Sequence, residues 1–196
     1  MGAREAGRRD RLRVTAAEQG LDAVLVTDLR NVRYLTGFTG SNGVVLVRTE
    51  GADLFGTDGR YTTQAGAQVP DVELLVDRGT ELAVARAAVA AGATRLGYES
   101  HVVTVDGLHA LEQATGEAPA AVELVSVRRA VEALRVIKDD AEVDALRRAC
   151  AVADRALAEH PGTALDQAVN LFWWRAAGGG DAVSYTHLTL PTNREV

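Results

Sequence analysis

Residues Asn31–Gly43 read N-V-R-Y-L-T-G-F-T-G-S-N-G, and the interpretation of the fold starts from this stretch. It follows a strand-like apolar run at Asp22–Val26 and precedes another at Val44–Val47, so we interpret it as a connection between two strands. The connection combines a cation, two aromatic rings, hydroxyl groups and three glycines. Loops with such side chains often carry binding residues, and we therefore expect this loop to face a ligand.

The glycines Gly37, Gly40 and Gly43 permit positive φ values or close approach of the backbone, which favours a defined path over a flexible linker. Their spacing, G-x-x-G-x-x-G, is not the dinucleotide-binding pattern, because that pattern requires G-x-G-x-x-G at the start of a helix. A plainer interpretation is a turn between strands, with Tyr34 and Phe38 packed in the core. The residues alone leave both interpretations open.

Strand-like and helical patterns alternate up to residue 127. This order predicts an α/β fold in which helices cover both faces of a sheet, followed from Arg128 by helical sequence alone. The predicted strands are 23–27, 44–48, 73–76, 95–98 and 122–127, and the predicted helices are 8–19, 60–68, 80–91 and 104–115.

Capping residues predict where two helices begin or end. Thr80 is expected to cap the alanine-rich helix Glu81–Ala91, and Gly92 is expected to terminate it. Further along, Asp139 followed by Glu142 is typical of a capping box at the start of a second helix.

The composition indicates a globular chain without a nucleic-acid or membrane partner. Apolar residues make up 47% of the 196 residues, which suffices for a packed core. The net charge of -6 and the pI near 5.2 argue against nucleic acid or an anionic membrane as partner. The start lacks the apolar run of a signal peptide, and no apolar run approaches the roughly 20 residues that span a bilayer, so we expect a cytoplasmic protein.

Two further features are interpreted as structural. The apolar residues Leu12, Ala16 and Leu21 predict an amphipathic N-terminal helix whose arginines form a solvated face. The single cysteine, Cys150, excludes an internal disulfide, and it shares a helical stripe with apolar residues such as Leu146, so we predict a buried residue and not a nucleophile. The arginines are Arg4, Arg8, Arg9, Arg11 and Arg13.

Four segments carry a family resemblance. They are N-V-R-Y-L-T-G-F-T-G-S (31–41), T-D-G-R-Y-T-T-Q-A (57–65), L-G-Y-E (96–99) and L-R-V-I-K-D-D-A-E-V-D-A-L-R-R-A (134–149). In this order they resemble the creatinase/prolidase N-terminal domain of Xaa-Pro peptidases, the aminopeptidase P and prolidase family. The resemblance implies a mixed sheet covered by helices on both faces, followed by the first helices of a pita-bread peptidase domain.

The same resemblance implies domain boundaries. Residues 8–127 are expected to form the N-terminal domain, 128–138 the hinge, and 139–182 the start of a truncated M24-type peptidase domain. We interpret 183–196 as an artefactual tail, because V-S-Y-T-H-L-T-L-P-T (183–192) resembles a translated sequencing adapter. The alternative is a divergent natural tail.

Catalysis in this family, as the resemblance implies, depends on two divalent ions of manganese, cobalt or zinc held by two Asp, one His and two Glu. The corresponding motifs are missing from this sequence, and the acidic residues at 139–144 lie in the first turns of a helix, where the macrodipole favours negative charge. We therefore predict that the chain has no catalytic residue, metal ligand or cofactor, and no peptidase activity. The histidines His101, His109, His160 and His187 are scattered and form no H-E-x-x-H motif.

Binding roles also follow from the resemblance. In family dimers the N-terminal domain covers the mouth of a catalytic pocket, often that of the neighbouring subunit. Arg33 is then expected to pair with a carboxylate of the peptide substrate, and Tyr34 and Phe38 to line the pocket. Ser41 and Asn42 are expected to form hydrogen bonds with peptide groups.

Arg60 and Tyr61, within the D-G-R-Y match, are further candidates for this cover. The alternative for Arg60 is an ion pair with Asp58 or a nearby carboxylate. The alternative for Tyr61 is a packed ring whose hydroxyl lies at the surface. The implied partners of the parent protein are a peptide substrate and a second copy in a homodimer.

Two other functional classes remain open. The chain would serve as a stand-alone protein-binding or scaffold domain if an exposed apolar patch lay beside Arg33. It would alternatively belong to a creatine amidinohydrolase, which shares the architecture, although the T-G-F-T-G-S form of the loop is more similar to the peptidases.

Overall fold

The computed structural model of the chain describes residues 2–116 and 122–159. The chain divides into two compact units, Met1–Ile137 and Lys138–Val196. The described part of the second unit is one long helix, α7 (Asp140–Glu159). The first unit contains α1 (Ala3–Glu18), β1 (Ala23–Val26), α2 (Leu29–Thr36), β2 (Val44–Arg48), β3 (Leu54–Thr57), a 3₁₀ turn (Gly59–Tyr61), α3 (Thr62–Gln68), β4 (Glu73–Val76), α4 (Thr80–Ala90), β5 (Arg95–Tyr98), α5 (Val105–Gly116), β6 (Glu123–Ser126) and α6 (Ala130–Val136).

The six strands form one mixed sheet in the order β4-β3-β2-β1-β5-β6. The β1–β2 and β2–β3 pairs are antiparallel, and the β3–β4, β1–β5 and β5–β6 pairs are parallel. The central strand β1 fixes the register, since Val24 lies opposite Val47 of β2 and Gly97 of β5. The predicted α/β fold with a mixed sheet is confirmed.

Successive side chains of a strand point to opposite sides of the sheet. Both sides carry apolar side chains here, and helices cover both faces. Val24 belongs to a buried cluster that includes residues of α1, α2 and α6. Its neighbour Leu25 belongs to a second cluster that includes residues of α4 and α5. The largest fully buried side chains are Phe38, Phe55, Leu12, Leu25, Leu35, Leu46, Leu96 and Leu111.

Helix α2 corrects the interpretation of the stretch after β1 as a loop. The Asp28 carboxylate caps this helix by accepting hydrogen bonds from the backbone N–H groups of Arg30 (2.8 Å) and Asn31 (3.4 Å). Gly37 ends it with a φ of 78°. Asp28 and Gly37 are helix-start and helix-stop signals. The glycines and hydroxyl groups further along the stretch are typical of a loop, and the whole stretch is therefore interpreted as one from the sequence alone.

Strand β3 is the second element that the sequence interpretation omits. A Cβ added at Gly56 of this strand would lie 2.3 Å from Cγ2 of Val84. The glycine therefore lets α4 approach the sheet closely, although glycine is a poor predictor of a strand.

The two ends of α4 differ in how well they were predicted. The expected cap at Thr80 is wrong, because Thr80 is the first helical residue and Gly79 occupies the N-cap position. The Thr80 hydroxyl instead donates to the carbonyl of Asp77 at 2.8 Å. Gly92 has a φ of 95° and terminates the helix as predicted.

Helix α7 begins with the predicted capping box. The N–H of Asp139 donates to Glu142 Oε2 at 3.0 Å, and the N–H of Glu142 donates to Asp139 Oδ1 at 2.9 Å. The prediction that Cys150 is buried is wrong, since Cys150 is exposed and Leu146 is 54% exposed. The physical reason is that α7 is the sole element of its unit among the described residues, so no described element of that unit covers its apolar stripe.

The N-terminal helix does not have the fully solvated basic face that we expected. Arg8 and Arg9 are each 4% exposed. Arg9 forms ion pairs with Asp53 (2.9 Å) and Asp71 (2.5 Å), and the Arg8 guanidinium lies over the ring of Tyr34 at 4.0 Å. Because a buried guanidinium requires hydrogen-bond acceptors, these contacts fasten α1 to the rest of the first unit.

Several predictions concern segments outside the described residues. These are the part of 139–182 beyond residue 159, the tail 183–196, and the histidines His160 and His187. The boundaries 8–127 and 128–138 stay predictions. No helix within 2–116 or 122–159 is long and apolar enough to cross a membrane.

Candidate functional site

Most of the residues predicted to bind substrate meet in one patch where the turn after α2 faces the 3₁₀ turn after β3. Arg33 and Tyr34 make no contact with this patch through hydrogen bonds or ring pairs among the described residues. The loop patch consists of Phe38, Ser41, Asn42, Asp58, Arg60 and Tyr61.

The buried half of the loop patch is aromatic. Phe38 is 1% exposed, and its ring centroid lies 4.8 Å from Phe55 and 5.6 Å from Tyr61, the second pair in an edge-to-face arrangement. A Cβ added at Gly40 would lie 2.3 Å from the Phe38 ring and 2.9 Å from the Tyr61 ring. The glycine therefore allows the backbone to pass directly over the two rings.

The outer half of the loop patch is a hydrogen-bonded chain of polar groups. Asp58 accepts from Nε of Arg60 (3.0 Å) and from its Nη2 (2.8 Å), and it also accepts from Nδ2 of Asn42 (2.6 Å). Ser41 Oγ and Tyr61 Oη lie 2.7 Å apart. The patch thus presents a hydroxyl pair beside a cation that is already paired with a carboxylate.

These contacts shift the pKa values of three groups in the loop patch. The Arg60 guanidinium, followed by the Asn42 amide, holds the pKa of Asp58 well below its ordinary value. The same ion pair raises the pKa of Arg60. A hydrogen bond from Ser41 lowers the pKa of the Tyr61 hydroxyl. The ion pair of Arg60 with Asp58 expected as an alternative is present, and the substrate-binding role of Arg60 stays a prediction.

Tyr34 lies between α1 and α6. Its ring is 7% exposed, and its hydroxyl accepts from Nη2 of Arg11 (3.1 Å) and donates to the carbonyl of Leu134 (3.2 Å). These contacts stabilise the packing of three helices within the first unit.

Arg33 lies on the outer face of α2. Its side chain is exposed and forms no hydrogen bond or ion pair with any residue in the described part of the chain. It is therefore a cation available to an incoming carboxylate.

A second polar group, absent from the sequence prediction, lies beside the ends of β1 and β5. We call Asn31, Glu99, His101 and Glu132 the carboxylate–imidazole cluster. The buried Glu99 carboxylate accepts from the backbone N–H groups of Thr27 (2.7 Å) and Asp28 (2.8 Å) through Oε2, and from Asn31 Nδ2 (2.6 Å) through Oε1. Asn31 thereby connects α2 to the strand end.

Glu132 of α6 completes this cluster. Its Oε1 accepts from Asn31 Nδ2 at 3.0 Å and lies 2.9 Å from His101 Nε2. Arg135 donates to Asn31 Oδ1 at 2.9 Å. The cluster joins residues far apart in sequence, and the only sequence signal for it is that Glu99 directly follows β5 and that Asp28 lies two residues after β1.

The pKa values of the two carboxyl groups move in opposite directions. Burial raises the pKa of Glu99, and its hydrogen bonds oppose burial only in part. Burial also raises the pKa of Glu132, but the hydrogen bonds from Asn31 and His101 outweigh it, so the net pKa is lowered.

Comparison with known proteins identifies relatives of the first unit. The model of the Creatinase/Prolidase N-terminal domain family matches residues 8–137. The uncharacterized peptidase YqhT of Bacillus subtilis is 36% identical over 148 residues, which are 75% of this chain and 40% of that protein. The chain thus spans about two fifths of the length of this curated relative.

Solved structures agree with this match. The N-terminal domain of cytoplasmic peptidase PepQ from Mycobacterium tuberculosis superposes with a TM-score of 0.63 at 49% identity, over 65% of this chain and 98% of that one. An Xaa-Pro dipeptidase from Bacillus anthracis superposes with a TM-score of 0.72 at 32% identity, over 79% of this chain and 42% of that one.

Proposed function

The chain belongs to the creatinase/prolidase N-terminal domain family, and on this premise we propose that it forms the N-terminal, non-catalytic part of a metal-dependent Xaa-Pro aminopeptidase or dipeptidase. The parent protein hydrolyses the peptide bond that precedes proline. The observation that carries the proposal is the likeness of residues 8–137 to this family together with the likeness in fold to an Xaa-Pro dipeptidase.

The proposed role of this part is to cover the substrate and to contribute to a homodimer. Proline makes the scissile nitrogen tertiary, so the enzyme must recognise the ring by shape and the neighbouring charges by ion pairs. Arg33 supplies the cation for a substrate carboxylate. The exposed hydroxyls of the loop patch, on Ser41 and Tyr61, supply hydrogen bonds to peptide groups.

The chemistry belongs to the remainder of the parent protein. Two divalent ions bound there would supply the activation of a water molecule and the stabilisation of negative charge on the attacked carbonyl. The donor set that the resemblance implies is two Asp, one His and two Glu, whereas the carboxylate–imidazole cluster offers one imidazole and two glutamates. No step of hydrolysis is therefore assigned to the described residues.

A cytoplasmic location is part of the proposal, and it is supported by the Mycobacterium tuberculosis relative, which is a cytoplasmic peptidase. The scaffold alternative requires an exposed apolar patch beside Arg33. Leu29, one turn before Arg33 on α2, is 40% exposed, and its exposed neighbours on that helix are the arginines Arg30 and Arg33. The creatine amidinohydrolase alternative differs only in substrate and is decided by assay of the parent.

We expect the purified 196-residue chain to hydrolyse no Xaa-Pro peptide in the presence of manganese, cobalt or zinc, because its sequence lacks the ligand motifs that would activate water. Release of proline from dipeptides and longer peptides is the measurement, with a mock purification from cells without the gene as the control. Metal-dependent turnover that rises with the amount of chain and is missing from the mock preparation would contradict the proposal.

A further inference from the structure

The carboxylate–imidazole cluster lies where α/β sheets commonly bind ligands. Strands β1 and β5 are adjacent and parallel, so their carboxyl ends meet at one edge of the sheet. Asp28 and Glu99 follow these ends, and the side chains of α2 and α6 close over them. Ligand sites in such sheets lie outside the carboxyl ends of the strands, and here that position holds titratable side chains.

Three side chains of the cluster present metal-ligating atoms to one another. One ligand atom each from Glu99, His101 and Glu132 lies within 4.8 Å of the other two. Zinc bonds of about 2.1 Å would place such atoms about 3.4 Å apart, so the most distant pair would have to approach by at most about 1.4 Å. His101 and Glu132 have partly exposed side chains, 17% and 26%, and therefore have room to do so.

Glu132 carries an oxygen that the protein leaves unused. Its Oε1 is occupied by Asn31 and His101, whereas its Oε2 is buried and has no hydrogen-bond partner. Buried carboxylate oxygens without a partner are rare, because the lost hydration is not replaced. A cation bound at Oε2 would compensate for this lost hydration.

The charge of the cluster also favours a cation. Two carboxylates, Glu99 and Glu132, lie beside one imidazole, that of His101. The nearest guanidinium in the hydrogen-bond network, that of Arg135, reaches Asn31 and not the carboxylates. Arg30 forms an ion pair with Asp28, and its guanidinium also has weaker coulombic interactions with Glu132 and Glu99.

We propose that Glu99, His101 and Glu132 bind a divalent transition-metal ion, with Zn²⁺ as the ion that best suits one imidazole nitrogen and two carboxylate oxygens. The ion would fasten α6 to the carboxyl ends of β1 and β5. To bind through Nε2, His101 must release the Nε2 proton to solvent and carry a proton on Nδ1. The N–H of Arg129, 3.4 Å from Nδ1, must then give up its weak hydrogen bond.

The test is zinc binding by the full chain after dialysis against a chelator. Calorimetry should give one site in the first unit, and zinc should raise the melting temperature. Glu132→Gln keeps an acceptor for Asn31 but removes a charged ligand, and His101→Gln removes the imidazole. Each should weaken binding at least about tenfold and abolish the thermal shift.

Matched controls separate this site from adventitious binding. His109→Gln and Cys150→Ser change exposed potential ligands outside the cluster and should leave the affinity unchanged. Zinc binding that Glu132→Gln and His101→Gln do not weaken would overturn the proposal, as would no binding at all. If neither variant folds, the ¹⁵N resonance of His101 Nε2 in the unaltered chain decides: zinc must shift it, and an unchanged resonance would refute the site.

Discussion

At the scale of single residues, one arrangement occurs twice in the first unit. In both Asp28-x-Arg30 and Asp58-x-Arg60 the aspartate caps a helical turn and holds the arginine two residues later. The Nε–Oδ1 distance is 3.0 Å in both pairs, and the Nη2–Oδ2 distances are 2.6 and 2.8 Å. Arg30 is thus paired, whereas Arg33 on the same helix has no side-chain partner in the described part of the chain.

The cap of α2 leads to a pH-dependent prediction. The Arg30 side chain, followed by the backbone N–H of Arg30, lowers the pKa of Asp28 from 3.8 to about 2, although burial opposes this. A carboxyl group with a lowered pKa stabilises the fold above its unfolded pKa, and this contribution is lost as the pH falls through the folded pKa. Asp28→Asn keeps a capping acceptor but removes the charge. Because the Arg30 side chain is 78% exposed, we expect a loss of less than about 1 kcal/mol at pH 6.

Urea unfolding of the unaltered chain and of the Asp28→Asn variant, each at pH 6 and pH 3, measures this contribution. The difference in the free energy of unfolding should be smaller at pH 3, which lies between the two pKa values. Equal differences at both pH values would show that the charge of Asp28 does not act through its ion pair.

At the scale of elements, the turn after α2 depends on Gly40. A Cβ there would lie 2.3 Å from the Phe38 ring and 2.9 Å from the Tyr61 ring, and Phe38 is fully packed against Phe55. Gly40→Ala must displace these rings, and we expect it to destabilise the chain by about 1–3 kcal/mol.

The matched control is Gly66→Ala in α3, where a Cβ would meet nothing within 4 Å. This substitution should stabilise the chain by about 0.5–1 kcal/mol, because alanine loses less backbone entropy in a helix. Chemical denaturation of both variants is the measurement. If Gly40→Ala were as stable as Gly66→Ala, the close packing of the turn against the rings would not hold.

How far these elements could be predicted depends on how local their signals are. The runs at Val44–Arg48 and Arg95–Tyr98 are short and mostly apolar and are flanked by turns, and both are strands of the sheet. Strand β3 escapes prediction because Gly56 is explained only by the approach of α4, which is a contact between distant segments. Arg9 is buried for a similar reason, since its acceptors Asp53 and Asp71 lie far along the chain.

The candidate sites, too, could be predicted only where their residues lie close together in the sequence. Ser41 and Asn42 belong to a recognisable stretch, and the Asp58–Arg60 pair spans two residues, so sequence alone could propose them. Glu99 and Glu132 meet only because β5 pairs with β1 and α6 packs beside it. The spacing of these two residues in the sequence does not predict their contact.

At the scale of the whole molecule, the first unit extends to Ile137 and contains α6. Val131 of this helix is 1% exposed, and Tyr34 donates to Leu134 at 3.2 Å. We expect the segment 2–137, produced alone, to unfold cooperatively. Residues 8–127 should be less stable by more than about 2 kcal/mol, because burial of a valine alone contributes about 1.5–3 kcal/mol. Urea titrations of both segments decide this, and equal stabilities would show that α6 is not part of the folding unit.

We propose that this unit covers substrate in an Xaa-Pro peptidase and takes no part in the chemistry. It can be tested in a chimera in which residues 2–137 replace the N-terminal part of the Xaa-Pro dipeptidase from Bacillus anthracis, which this chain resembles in fold. The matched pair of variants is Arg33→Ala and Arg30→Ala. Both remove an exposed arginine from α2, but only Arg33 lacks a side-chain partner in the described part of the chain.

The most direct measurement is the KM of this chimera for an Xaa-Pro dipeptide. We expect the chimera to hydrolyse the dipeptide and Arg33→Ala to raise KM by the equivalent of about 1–3 kcal/mol, with a smaller change in kcat, because the lost ion pair binds substrate without acting on the scissile bond. Arg30→Ala should leave KM unchanged. A folded chimera without activity, or an Arg33→Ala variant whose KM equals that of the unaltered chimera, would contradict the account.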